Sequence, residues 1–200
     1  NSANDNPIID PDGERVLHGG HFYGGHIAFA MDSLKNAVAN VADLLDRQLA
    51  LLVDVRFNHG LPGNLSGANG ERRAINHGLK ALQISVSAWT AEALKLTMPA
   101  SVFSRSTECH NQDKVSMGTI AARDAERVCT LTERTLAIHL LAAVQGCEIR
   151  GDVERRKNLR EIIERIRALS EPLIEDREMD RDIERLARAM AKEDSWRIPA

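Results

Sequence analysis

From His26 onward the chain alternates apolar and polar positions with the period of an α-helix. Ile27, Met31, Leu34, Val38, Val41, Leu45 and Leu52 recur at steps of four and three, with one turn skipped at Gln48. That pattern predicts a helix of about 27 residues, roughly 40 Å long at about 1.5 Å per residue. Leu79, Leu82, Val86, Trp89, Ala93 and Leu96 repeat the pattern and predict a second, bundle-type helix closed off by Pro99. A third is expected from Ser116 to Glu148. Its second half, 136–144, is apolar almost all round, and a helix with no polar face should be buried on every side. Two other long helices cannot surround it, so further helices are expected from outside this chain.

The intervening stretches are polar. Residues 1–25 are rich in Asn, Asp, Gly and His, with Pro7, Pro11 and an Asp12-Gly13 turn signal, and read as loop. A second loop, Asn58 to Arg73, carries Gly60, Pro62, Gly63, Gly67 and Gly70, and a third polar stretch runs from Ser101 to Lys114. After Gly151 a charged run marks a boundary. Leu159, Ile162, Ile163, Ile166 and Leu169 predict an amphipathic helix stopping before Pro172, and Ile183, Leu186, Ala187 and Met190 a shorter one. Their Arg and Glu residues read as a solvated face with i,i+4 pairs. The expected fold class is all-α, with a helical-bundle part over 1–151 and C-terminal amphipathic helices over 152–200.

Composition narrows the function classes. A net charge of −3 over 200 residues gives no electrostatic case for nucleic acid or an anionic membrane. Apolar residues at 43% suffice for a core, while 4% aromatics lean towards helix over sheet. The apolar stretches are interrupted well short of the ~20 residues a membrane span needs. The start, Asn1-Ser2-Ala3, has no initiator Met and no basic-then-apolar run, so it reads as the interior of a longer chain, not a signal peptide. Cys109, Cys129 and Cys147 are odd in number and widely spaced, which disfavours a disulfide scaffold and makes a reducing cytoplasm the expected location.

Several residues could carry chemistry. His18-x2-His21-x4-His26 superficially resembles a metal site, but no carboxylate or Cys stands nearby at zinc-like spacing, and no metal is expected. His139, inside the apolar third helix, reads as a hydrogen-bonded core histidine. Cys109 has no activating group fixed by spacing. The segment Glu108-Cys109-His110-Asn111-Gln112-Asp113 stands apart: six polar or thiol side chains in a row between two helices must find partners or line a cleft.

Four segments together resemble one family, the aromatic amino acid ammonia-lyases and 2,3-aminomutases that carry a methylidene-imidazolone electrophile. They are Asn4-Asp5-Asn6-Pro7; His18-Gly-Gly-His-Phe-Tyr-Gly24; Asn58-His-Gly-Leu-Pro-Gly-Asn-Leu-Ser66; and His110-Asn-Gln-Asp-Lys-Val-Ser-Met-Gly118 with Ala121-Ala122-Arg123. They come in the family's order over residues 1–151. The resemblance implies the long-helix bundle of the ammonia-lyase (fumarase/aspartase-like) type, with active-site loops in 1–151, and a homotetramer whose sites are shared between subunits. It also implies the reaction: the electrophile captures the amino group of an aromatic L-amino acid, a tyrosine base removes a β-proton, and ammonia leaves to give the arylacrylate. Aminomutases return the ammonia to the β-carbon.

Residue by residue, Phe22 matches an aromatic packed near the electrophile and the substrate ring. Asn111 and Gln112 match a polar pair lining the pocket, and Glu108 a carboxylate near the substrate amine. Lys80 and Ile84, one helical turn apart, match residues bordering the ring pocket in the phenylalanine/tyrosine branch, so a Lys80–Glu108 pair across the pocket is expected. Gln112 also marks that branch, since the histidine lyases place Glu there, and an ionised Glu would sit desolvated and unpaired against a phenyl ring. Phenylalanine or tyrosine is therefore the expected substrate, with histidine disfavoured.

The sequence also departs from the family. The cofactor, 4-methylidene-imidazol-5-one, forms from Ala-Ser-Gly, and this sequence has none; Leu65-Ser66-Gly67 reads as loop. Tyr23 is not the counterpart of the tyrosine base. No catalytic residue is therefore expected in this chain, which resembles a C-terminal part that needs the N-terminal part of the same enzyme as partner. A lyase is the first expectation and a phenylalanine or tyrosine 2,3-aminomutase the second. A non-catalytic helical assembly module is the alternative of another class.

Overall fold

The computed structural model describes residues 4–19, 22–151 and 157–192. His21, Gly20, Asn1 to Ala3 and the run 152–156 lie outside the described residues. Five helices dominate: α1 (Gly25–Val53), α2 (Lys80–Lys95), α3 (Gly118–Arg150), α4 (Lys157–Arg167) and α5 (Asp180–Lys192). The N-terminal region is not all loop. Strands β1 (Ile8–Asp10) and β2 (Arg15–Leu17) pair antiparallel, with Ile9 opposite Val16, across the turn that Asp12-Gly13 signals. Asn6 Oδ1 accepts a hydrogen bond from Gly19 N at 3.0 Å, tying the first motif to the glycine loop.

The three long helices run up, down and up. Ser87 Oγ donates to Asp46 Oδ1 at 2.8 Å, after accepting from Gln83 Nε2 at 3.1 Å, which joins α2 to α1 in antiparallel sense. The start of α3 lies by Ala28 and its Gly146 by Leu52, so α1 and α3 run parallel. Val86 and Ala93 of α2 and Leu79 just before it are buried, three members of the seam expected from the periodicity.

On α1 the buried positions are Ala28, Asp32, Lys35, Ala39, Ala42, Asp46 and Leu49, a four-three repeat, together with Leu45, the one member of the expected stripe that is buried. Small alanines let α1 and α3 approach closely, and the polar members of the repeat are satisfied by partners described below. The larger apolar residues stand elsewhere. Ile27, Leu34 and Val41, from the stripe that predicts this helix, are exposed, as are Leu44 and Leu51. The second repeat, Ile27, Ala30, Leu34, Ala37, Val41, Leu44, Gln48, Leu51 and Val55, is exposed throughout and faces away from this chain's own core.

The apolar second half of α3 behaves differently from expectation. No residue from Leu136 to Val144 is exposed, yet the cover comes from within the chain. Ile163 and Ile166 of α4 and Ile183 and Leu186 of α5 share one core cluster with Ile138, Leu141, Ala142 and Val144. The amphipathic C-terminal helices turn their apolar faces onto α3, so that segment needs no helices from elsewhere. Their arginines are also less solvated than expected. Arg167 grips Glu148 of α3, and Arg134 of α3 reaches Glu184 of α5 at 2.7 Å, while Arg188–Glu184 is an i,i+4 pair. α3 ends at Gly151, whose φ of 77° is the left-handed conformation that glycine adopts without a Cβ clash.

Candidate active site

The loop carrying Glu108, Asn111 and Gln112 begins at a buried ionic cluster. Asp32 on α1 accepts from Ala100 N at 2.9 Å and Ser101 N at 3.1 Å. Lys35, one turn later and wholly buried, lies 2.9 Å from Asp32 Oδ1 and 3.4 Å from Asp124 of α3, and donates to the Met98 carbonyl at 2.7 Å. Burial pushes the Asp32 carboxyl up, but the two backbone donors and Lys35 outweigh it and bring it down to about 2. The loop's neck is closed by Val115 N donating to Ser104 Oγ at 3.1 Å.

At the tip, Thr107 and Gln112 pair as an antiparallel bridge. Glu108, Cys109 and His110 between them all have left-handed φ values of 52°, 52° and 69°, which costs of order 1 kcal/mol at each non-glycine residue. Local bonds hold the turn: Thr107 Oγ1 donates to Gln112 Oε1 at 3.0 Å, Asn111 Nδ2 to Glu108 Oε2 at 3.3 Å, and Ser106 Oγ and His110 Nδ1 are bonded at 3.0 Å. Glu108, Asn111 and Gln112 are thus gathered on one exposed turn.

Phe22 stands at the same end of the bundle and is 57% exposed. Gly24, two residues on, takes the N-cap position of α1 with φ 69°. A Cβ on Gly24 would lie 3.6 Å from Ser116 Oγ, and one on Gly118 3.6 Å from the Gly24 carbonyl. The glycine loop and the end of the polar loop are therefore in contact.

Lys80 and Ile84 are elsewhere. Both are exposed on the first turns of α2, and the length of that helix, about 24 Å, separates them from the end that leads into the polar loop. Among the described residues no ion pair joins Lys80 to Glu108; within one chain the expected pair does not form. An open cleft of about 440 Å³ lies at the Lys80 end, lined by Val53, Asp54, Val55, Asn64 and Gln83. None of the six candidate residues lines it.

The Asn58–Ser66 motif is architectural. Asn58 is buried, its carbonyl accepting from Arg150 at 3.0 Å, and Leu65 is fully buried. Gln145 of α3 donates to the carbonyls of Leu65 and Leu173 at 3.3 and 2.9 Å and accepts from Leu173 N and Arg167 Nη2, both at 3.2 Å. Leu65-Ser66-Gly67 lies in this loop, with Gly67 N bonded to the Leu173 carbonyl at 3.2 Å. A Cβ on Gly67 would meet that carbonyl at 2.5 Å.

His139 fits its core role in part. Burial pushes its imidazole below the usual range against one hydrogen bond to the Leu45 backbone, while its buried Nδ1 has no partner among the described residues. Cys109 is exposed. Among the described residues no group of three His, Cys, Asp or Glu could hold a metal ion, and no helix is long and apolar enough to cross a membrane. Asp32, Lys35 and Gln145 escape the sequence reading. Their signal is a polar residue standing in an otherwise small or apolar helical repeat, which marks either an error in the pattern or a satisfied buried group.

The family model described as "Aromatic amino acid lyase" matches residues 1–168. The chain belongs to that family. It is 37% identical over 193 residues to the histidine ammonia-lyase of Bacillus subtilis (strain 168), covering 96% of this chain and 37% of the relative. It is 40% identical over 150 residues to the phenylalanine aminomutase (L-beta-phenylalanine forming) of Taxus chinensis, covering 75% of this chain and 22% of that enzyme. Among solved structures, the tyrosine aminomutase from Streptomyces globisporus superimposes with a TM-score of 0.86 at 35% identity, over 96% of this chain and 36% of that one. The long-helix bundle is thus the fold of this family's enzymes. The chain spans little more than a third of the Bacillus histidine ammonia-lyase and of the Streptomyces tyrosine aminomutase, and about a fifth of the Taxus enzyme. Among these curated relatives the histidine ammonia-lyase aligns over nearly the whole chain and the phenylalanine aminomutase over three quarters of it, so sequence similarity leans to the histidine branch and not to the expected phenylalanine/tyrosine one.

Proposed function

We propose that this chain is the C-terminal part of an aromatic amino acid ammonia-lyase that eliminates ammonia from L-phenylalanine or L-tyrosine to give the arylacrylate. The observation that carries the substrate choice is Gln112. Its side chain is a neutral amide held by Thr107 on the exposed turn, and a neutral group beside an aryl ring avoids the cost of a desolvated, unpaired carboxylate. Glu108 on the same turn offers a carboxylate to the substrate ammonium, Asn111 steadies Glu108, and Phe22 supplies an apolar wall.

The methylidene-imidazolone, when present, supplies the electrophile that takes the amino group. Leu65-Ser66-Gly67 differs from the Ala-Ser-Gly that forms it, and Gly67 N is held by the Leu173 carbonyl in the loop, which supports reading it as architecture. The group belongs to an N-terminal part, which is the partner this chain requires. The residues at the polar end fit a site beside it, being exposed, polar where they bind and apolar at Phe22.

Assembly follows from the same geometry. Lys80 and Ile84 stand at the far end of α2, so they complete the pocket of another copy rather than of their own chain. The exposed four-three repeat on α1 offers the apolar seam for a homotetramer. Joining or co-expressing the chain with its N-terminal part and supplying L-phenylalanine, L-tyrosine and L-histidine tests the reading. Free cinnamate or coumarate as the main product supports it, and turnover of histidine alone overturns it. The aminomutase reading takes its place if a β-amino acid dominates. No turnover of any substrate points to the non-catalytic assembly module.

A further inference from the structure

Helix α2 starts without a cap of its own. Leu79 occupies its N-cap position, no side chain bonds its free N–H groups, and its first turn holds no acid, although a helix start exposes unpaired N–H groups and the positive end of the dipole. The turn just before the helix, 77–78, is instead held from about a hundred residues away. Asp176 accepts from His77 N at 2.7 Å and Gly78 N at 2.8 Å, and its own N–H donates to Asn76 Oδ1 at 2.5 Å. Glu175 takes Arg72 through Nε at 3.0 Å and Nη2 at 2.6 Å, and Asn76 Nδ2 at 2.9 Å.

The other side of the turn is held as firmly. Leu79 N donates to the Asn64 carbonyl at 2.8 Å, and Gly78, at φ 58°, has its Cβ direction blocked by that carbonyl at 2.6 Å. Desolvation raises the Asp176 carboxyl, but the His77 and Gly78 N–H groups hold it below the usual range, so it is ionised at neutral pH. Both acids lie beyond residue 168, where the family match ends.

We propose that Glu175 and Asp176 are positioning residues for the substrate pocket: by pinning the turn that leads into α2 from the C-terminal tail, they set the direction in which Lys80 and Ile84 project. This rests on the pocket roles proposed above for Lys80 and Ile84. The tail then has a part in substrate binding without touching substrate, and a loosened latch shows in KM before kcat.

The test compares Asp176→Asn, Asp176→Glu, Glu175→Gln and Lys80→Met in the assembled enzyme, reading L-phenylalanine kinetics and amide hydrogen exchange. Asp176→Asn is expected to speed exchange at residues 77–84 about tenfold while the α3 core stays protected. It should raise KM about fivefold with kcat changed less than about twofold. Glu175→Gln should act in the same direction, and Asp176→Glu should recover part of the loss. Combined with Lys80→Met, Asp176→Asn should add less than its separate effect, since part of that effect runs through Lys80. Unchanged exchange at 77–84 overturns the positioning role even if Lys80→Met is defective. Faster exchange with fully additive kinetic losses overturns the link to Lys80. If Lys80→Met alone leaves KM and kcat unchanged, the pocket assignment of Lys80 falls and the latch's effect on substrate falls with it.

Discussion

Lys35 Nζ stands 2.9 Å from Asp32 Oδ1 with the lysine wholly buried, and this pair fixes where the Glu108–Gln112 loop leaves the bundle. Asp32 binds the backbone of Ala100 and Ser101, and Lys35 the Met98 carbonyl. Removing one partner strands the other charge in the core. Lys35→Met is expected to lower stability by about 3 kcal/mol, read from urea midpoints. Asp32 also sets an acid limit. Its folded pKa, about 2, lies below the unfolded value near 3.9, so its stabilisation is complete above about pH 4 and is lost as pH falls towards 2, amounting to about 2 kcal/mol. Acid titrations of the parent and Asp32→Asn should converge across that window; parallel curves would remove Asp32 as the source.

The exposed seam of α1 predicts an assembly defect without a folding defect. Val41 is 50% and Leu44 57% exposed in the single chain, so Val41→Asp with Leu44→Asp should leave helical content unchanged by circular dichroism. In the proposed tetramer each would bury an unpaired charge, a cost of several kcal/mol. Sedimentation should then show smaller species, and an intact tetramer would mean that this seam faces solvent.

Gln145 predicts a cost that size alone would miss. Gln145→Leu keeps a similar volume but strands the Leu65 carbonyl and the Leu173 N–H and leaves the Leu173 carbonyl with Gly67 N alone. The expected loss is about 2–3 kcal/mol, with a matching drop in Tm. A neutral result would show that water replaces the amide.

Gln112→Glu addresses specificity. An added negative charge beside an aryl ring should lower kcat/KM for L-phenylalanine at least about tenfold, while activity on L-histidine relative to phenylalanine rises. Unchanged kinetics would remove Gln112 from the pocket.

The helices and most of their limits could be read from residue order. Ile27 to Leu52, Leu79 to Leu96 and the run to Glu148 each announce a helix because apolar periodicity is a property of neighbours three and four apart. The four motifs likewise identify the family, since order and spacing survive without any knowledge of contacts. The small hairpin at 8–17 was not readable: three-residue strands hold too few positions to establish a period of two.

What periodicity cannot say is what each face meets. Ile27, Leu34 and Val41 look like core and lie outside, while Asp32, Lys35 and Asp46 look like surface and lie inside. A helix repeat is symmetric with respect to its partners; which side turns inward depends on side-chain size and on polar groups brought from far along the chain, as Asp124 is to Lys35. The same limit governs the candidate site. Glu108, Asn111 and Gln112 are five residues of sequence and one turn of structure, so they come together on local grounds. Lys80 and Glu108 are paired by motif, but the length of α2 separates Lys80 from the end that leads into the Glu108 loop, because an antiparallel crossing sends the two ends of that helix to opposite ends of the bundle. Local order therefore specifies the elements and the chemistry they carry, and long-range packing specifies which of those residues can meet within the chain.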